Sequence, residues 1–277
     1  MSLLGSRRIE IKTPEQVRLM RRAGLVVGRT LEVLRAAAVA GVSTAELDRL
    51  AEDTIRGAGA VPSFLGYGDP PFPATICASV NDEVVHGIPG SRVLADGDVI
   101  SIDCGAIVDG WHGDAAITVP VGTVRPEVAD LLHVTEESLW AGLAAARDGG
   151  RVTDISAAVE QSVRSHGGYG IVEDYTGHGI GTHMHMEPDV PNYGRAGRGP
   201  RLKPGIALAV EPMVTLGGKL TDVAEDEWTV VTSDGSWAAH FEHTFALTER
   251  GVWVLTALDG GEERLTALGV PFGGEAD

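Results

Sequence analysis

The dipeptide Asp109-Gly110 lies inside "GDVISIDCGAIVDGWHGD" (97–114) and joins two β-rich runs. An Asp-Gly in that setting is the strongest short-range signal for a two-residue hairpin, because both positions tolerate positive φ. Residue 108 then pairs with 111. With a side-chain period of two, Asp103 and Asp114 become diagonal neighbours on the same face of the ribbon. Two bare carboxylates beside Val99, Ile100 and Ile102 repel each other unless a cation sits between them. A solvated ribbon edge would also carry such a pair, so the hairpin alone leaves both readings open.

Sliding the chain against itself until residue 103 falls on 211 exposes a repeat. Leu47, Glu52, Ile55, Arg56 and Gly59 fall on Ile155, Glu160, Val163, Arg164 and Gly167. Leu94, Gly97, Ile100 and Ile102 fall on Leu202, Gly205, Leu208 and Val210, and Asp103 lands on Glu211. The second copy makes a longer excursion over 216–235 and returns through "AAHFEHTFALT", which offers Glu242 as the counterpart of Asp114. Helix signals open each half. Thr13-Pro14-Glu15-Gln16 and Ser43 with Glu46 read as capping boxes, and Val17, Met20, Gly24, Val27, Leu31 and Leu34 recur at helical spacing. Helices are expected over 14–38, from 43 to about Gly57–Gly59, over 126–147 and over 154–165. Two helices and a β-ribbon, written twice over roughly 14–121 and 124–250, predict one α+β domain with pseudo-twofold symmetry. A short arm (1–12) and a tail (about 265–277, fraying at "GGEAD") flank it.

The formal net charge of −17 argues against a DNA binder that works by neutralising phosphates. No apolar run reaches membrane-spanning length, and Cys77 and Cys104 are too few for a disulfide framework, which points to buried thiols and the cytoplasm.

The repeat brings four carboxylates to one centre, and four buried negative charges need compensation. Two divalent ions would balance them, and His178, flanked by glycines in "TGHGIGTHMHMEP", is the fifth ligand candidate. One imidazole in an oxygen-rich set suits Mn, Fe, Co or Zn rather than a dedicated calcium or structural zinc site. A bridging water made acidic between two ions, as a hydroxide nucleophile, is hydrolysis chemistry.

The segments "NDEVVHGIP", "SIDCGAIVDGWHGD", "GHGIGTHMHMEP", "AVEPMV" and "HFEHTFALT" occur in that order along the chain. Together they closely resemble the type I methionine aminopeptidases of the pita-bread metallopeptidase family, over roughly residues 9–250. The resemblance implies metal ligands Asp103, Asp114, His178, Glu211 and Glu242, with Asp114 and Glu242 bridging both ions. It implies that His86 hydrogen-bonds near the scissile amide nitrogen, that His185 stabilises the carbonyl oxygen, and that Glu211 also shuttles the proton. It assigns the methionine side chain to a pocket of Phe64, Tyr67, Phe72, Cys77, Met184 and Trp228. It departs from the usual forms in a longer 64–73 loop, in Met184 where phenylalanine is common, and in His240 where glutamine is common. His183 is read as non-ligating, His112 and His243 as orienting neighbours of ligands, and His133 and His166 as solvated residues on helices.

The implied activity is removal of an N-terminal methionine from nascent proteins or peptides whose second residue is small, by a monomer. An Xaa-Pro peptidase of the same fold and an inert relative used for binding are the rivals. The first usually carries an added N-terminal domain, and the second loses ligands. A transient ribosome contact is written nowhere in the sequence, although Arg195, Arg198, Arg201 and Lys203 share one loop.

Overall fold

A computed structural model describes residues 9–275. Helix α1 (Pro14–Ala37) begins as the sequence predicts: the Thr13 hydroxyl accepts the Gln16 amide and the Gln16 side chain accepts the Thr13 amide. Ser43 and Glu46 cap α2 (Thr44–Gly57) in the same way. Short strands β1 (Val61–Pro62), β2 (Ile76–Val80) and β3 (Glu83–Val85) lead to the long ribbon of β4 (Val99–Val108) and β5 (Trp111–Pro120). Val108 pairs with Trp111, so Asp103 lies opposite Ala116 and Asp114 opposite Gly105, the register that the Asp-Gly turn dictates. On the other side of β4, Cys77 lies opposite Asp103.

The second half repeats the plan with α3 (Pro126–Ala145), which ends two residues short of the expected 147, and α4 (Val152–Ser165), which begins two residues before the expected 154. Then come β6 (Gly170–Ile171), β7 (Gly177–Gly179), β8 (Met186–Val190), β9 (Ala207–Val210) and β10 (Met213–Thr215). The excursion holds β11 (Thr221–Val223) and β12 (Val230–Thr232), and the chain returns through β13 (Ala238–His240) and β14 (His243–Leu247). Strand β15 (Val252–Val254) and helix α5 (Glu262–Ala267) complete the described chain.

His243 pairs with Val210, and Met213 with His240. Both pairings keep one register, so Glu211 faces Glu242 across the break made by Pro212. The two ribbons meet at a single backbone pair, in which Ala116 and Glu242 exchange amide hydrogen bonds of 3.3 and 2.9 Å. Two residues to one side, the Thr118 hydroxyl accepts the His240 amide (2.9 Å) and donates to the His240 carbonyl (2.8 Å). Two residues to the other side, the Thr244 hydroxyl does the same for Asp114, at 3.2 and 2.7 Å. One line across the sheet therefore reads Cys77, Asp103, Ala116, Glu242, Glu211, and directly opposed residues point to one face. Asp114, two residues from Ala116, joins that face.

The opposite face carries the core. Leu31, Ile102, Val119, Leu139 and Phe245, drawn from both halves, belong to one continuous buried cluster. Helix α1 lies on β4 and β5 at close range, because Gly24 and Gly113 meet where it crosses. The C-terminal tail differs from expectation as far as it is described. Helix α5 buries Leu265, the Gly273 amide donates to Val252 at 2.7 Å, and Glu275 pairs with Arg18 at 2.9 Å. Residues 1–8 of the expected arm, and 276–277, lie outside the described residues. Cys77 and Cys104 are free and buried. Among the described residues no helix is long and apolar enough to cross a membrane.

Candidate metal centre

Asp103 and Asp114 come from β4 and β5, Glu211 from the break after β9, Glu242 from the residue before β14, and His178 from β7. Added side chains at Gly177 and Gly179 would strike the carbonyl oxygens of Ala209 (2.3 Å) and Glu187 (2.2 Å). Glycine on both sides of His178 is thus what lets β7 enter between its neighbours. The His178 Nδ1 is 3.0 Å from the Gly179 carbonyl, which makes it the N–H nitrogen. Its lone pair, on Nε2, then faces Glu211 Oε1 at 3.5 Å and Asp114 Oδ2 at 3.9 Å. Ligand atoms of Asp114, His178 and Glu242 all lie within 4.8 Å of one another.

A nitrogen lone pair aimed at carboxylate oxygens is repulsive unless a cation lies between them. Buried Asp103 Oδ1, Asp114 Oδ1 and Glu242 Oε1 have no hydrogen-bond partner. Burial pushes the Asp103 carboxyl up to about 7, against the opposing pull of Asp114 and the Cys104 amide. Burial, reinforced by neighbouring carboxylates, also holds Asp114, Glu211 and Glu242 well above the ordinary range. Burial lowers His178 to about 3, so the ring is neutral and able to ligate. Orphaned oxygens, a free imidazole nitrogen and uncompensated charge make this donor set fit divalent cations of the borderline class.

The same face opens into a cavity of about 410 Å3. All six side chains expected around a methionine side chain line it. Phe64, Phe72, Cys77 and Met184 pack together with Trp228 against them, and Phe72 meets Trp228 edge to face at 5.2 Å. Tyr67 stands apart at the rim, 40% exposed, with its hydroxyl 2.6 Å from His185 Nδ1. His86 has a positive φ of 59° and sits edge-on to Tyr175 and Trp228, at 5.5 and 5.9 Å. Its backbone amide hydrogen-bonds the Cys77 thiol, whose pKa burial raises well above its usual value. Burial lowers His86 to about 4 and also lowers His185.

The remaining histidines divide. His112 Nδ1 is 3.1 Å from the Ser63 hydroxyl and His243 Nδ1 is 2.8 Å from that of Thr256, each held beside a ligand position. His183 is exposed and lines a separate surface cleft. His133 lies exposed on α3, whereas His166 caps the end of α4 rather than lying within it. Tyr175, which walls His86, carried no sequence signal, since a lone tyrosine in a loop reads as ordinary packing. His240, singled out in the sequence two residues before Glu242, turns its buried ring into the cavity.

Comparison with known proteins agrees with this geometry. The model of metallopeptidase family M24 matches residues 18–249. A methionine aminopeptidase of Clostridium acetobutylicum is 53% identical over 249 residues, covering 90% of this chain and 98% of that protein. Methionine aminopeptidase 1 of Mycobacterium tuberculosis is 52% identical over 260 residues, covering 92% and 97%. The crystal structure of a methionine aminopeptidase from Thermotoga maritima superposes with a TM-score of 0.88 at 39% identity, covering 90% of this chain and all of that one. The chain therefore belongs to metallopeptidase family M24 and, within it, to the type I methionine aminopeptidases.

Proposed function

We propose that this chain hydrolyses the peptide bond after an N-terminal methionine when the second residue is small. The observation that carries the reading is the meeting, in one cavity, of partnerless buried carboxylate oxygens and an apolar pocket suited to a thioether. Two divalent ions, drawn from Mn, Fe, Co or Zn, would be held by Asp103, Asp114, His178, Glu211 and Glu242. When bound, they would supply Lewis acidity that polarises the first peptide carbonyl and activates water.

The protein's own groups do the rest. Phe72, Cys77, Met184 and Trp228 receive the side chain, and Phe64 and Tyr67 close the pocket toward the rim. The Tyr67 hydroxyl donates to His185 Nδ1 and so leaves the proton on Nε2, ready for the carbonyl oxygen as it gains charge. His86, neutral at physiological pH, faces the scissile nitrogen. Glu211 takes a proton from the attacking water and delivers it to the amine as the C–N bond breaks. The crowded carboxylate face leaves space beside the scissile bond for a small second side chain only.

The free cysteines support a reducing cytoplasm, and the substrates are peptide and nascent-chain N-termini met by a monomer. Arg195, Arg198, Arg201 and Lys203, all exposed, are the basic side chains through which a transient ribosome contact would run. The test is cleavage of Met-Ala-Ser, Met-Lys-Ser and Ala-Pro-Ala by chelator-stripped protein with each metal restored. Methionine release from the first peptide alone supports the reading. Activity confined to Ala-Pro-Ala assigns an Xaa-Pro peptidase, and no turnover by folded protein with any metal refutes hydrolysis.

A further inference from the structure

The two oxygens of Glu211 face two imidazoles of opposite character. Oε1 lies 3.5 Å from His178 Nε2, which carries a lone pair because Nδ1 is committed to the Gly179 carbonyl. Oε2 lies 3.8 Å from Nε2 of His240, a side chain 2% exposed. That Nε2 is buried and has no hydrogen-bond partner. A buried imidazole nitrogen facing a carboxylate oxygen is stable there as N–H and repelled as a lone pair.

The backbone fixes where this ring stands. His240 is paired with Met213 on β10, and both its amide and its carbonyl are bound by the Thr118 hydroxyl. Glu211, by contrast, sits at the break before Pro212 without a strand of its own, and its backbone is tied through its carbonyl to the Asn192 side chain at 3.0 Å. A fixed donor therefore looks at a carboxylate with rotational freedom. Their separation exceeds hydrogen-bond length by about 0.8 Å, which rotation of the carboxylate covers.

We propose that His240 is a positioning residue for Glu211: its Nε2–H holds Oε2, so that Oε1 is the oxygen presented beside His178. The inference rests on the function proposed above. A carboxylate held by one oxygen keeps a defined lone pair for the ion and a defined path for the proton it carries. Without the donor, Glu211 is free to turn both oxygens to one ion.

Replacing His240 by glutamine keeps an N–H at a similar reach from the backbone, whereas asparagine falls short and leucine has no donor. Mn(II) binding to the chelator-stripped variants is measured by titration calorimetry, and kcat and KM on Met-Ala-Ser are measured beside it. Outer-sphere changes of this kind cost about 10–100-fold. H240L and H240N are expected to lose roughly tenfold or more in Mn(II) affinity and in kcat, with KM within about twofold, and H240Q is expected to stay within about threefold of the parent on both. The proposal is overturned if folded H240L matches the parent, or if H240Q is as damaged as H240L, since the ring would then act as filler or as a ligand. Should H240L not fold, the contrast between H240Q and H240N decides alone. Absence of turnover in the parent refutes the enzymatic reading, while the calorimetric comparison still judges His240.

Discussion

Replacing Gly24 with alanine tests how α1 is seated on the sheet. A Cβ built there lies 2.1 Å from the Leu255 carbonyl oxygen and 2.6 Å from its carbon. Relief requires about 1 Å of separation between the helix and the turn that follows β15, because the obstacle is backbone and cannot rotate away. The same segment is gripped by Arg21, one turn earlier on α1, which donates to the carbonyls of Leu255 at 3.0 Å and Leu258 at 2.9 Å. Moving α1 outward strains those bonds too. Overpacking costs about 1–3 kcal/mol, and loss of one hydrogen bond from a charged donor about 1.5–3 kcal/mol. The gain in helix propensity returns about 1 kcal/mol. The net expectation is destabilisation by about 2–5 kcal/mol, a large share of the 5–15 kcal/mol that holds a typical domain together. Gly57→Ala is the control: it is helical, and nothing lies within 4 Å of the added carbon. It should stabilise by up to about 1 kcal/mol. Urea unfolding of both variants in the metal-free form gives the comparison. A Gly24→Ala protein within about 0.5 kcal/mol of the parent would refute the close-crossing account.

Three further outcomes follow from the site and its surroundings. Asp114→Asn should lower divalent affinity by more than about 100-fold in calorimetry. The same variant should stabilise the metal-free protein at pH 7 by about 1–3 kcal/mol in urea unfolding, since burial and the neighbouring carboxylates raise the Asp114 pKa on folding, and a group so raised opposes folding above its unfolded value. Burial lowers the Lys12 ammonium to about 8, opposed by Glu10, so the unfolded chain binds more protons between the folded value and the ordinary one near 10.5. Stability should therefore rise with pH across that window. Lys12→Met should stabilise below pH 8 by about 1–3 kcal/mol, with the advantage fading toward pH 10.5, as read from denaturation at several pH values. Trp228→Ala removes an apolar wall of the pocket and should lower kcat/KM on Met-Ala-Ser by about 10–100-fold, with Mn(II) affinity unchanged in calorimetry.

The first ribbon was legible because Asp109-Gly110 fixes the turn and the period of two fixes the rest. Glu211 and Glu242 were legible only by analogy with it, since no tight turn connects β9 to β14 and the excursion between them sets no register. What the sequence could not carry is the junction of the halves. Thr118 and Thr244 read as ordinary β-branched strand residues, and their partners lie 122 and 130 positions away. Helix α5 has glycines on both sides and only six residues, so its pattern was too short to separate from a tail. The pocket side chains were traceable by resemblance. Tyr175 was not, because its role depends on the positive φ that swings His86 toward it.

The junction also sets the curvature of the sheet. Only Ala116 and Glu242 touch backbone to backbone, and on either side a hydroxyl is wedged where the next amide pair would close. The two ribbons are pinned at one point and propped open above and below it, so they splay like the covers of a half-opened book with the acidic residues along the gutter. Each wedge satisfies both the donor and the acceptor of the residue it faces. Flattening the sheet would therefore strand those groups before it gained any new bond. The concavity that gathers the charges is thus maintained by two uncharged hydroxyls, neither of them part of the charged cluster.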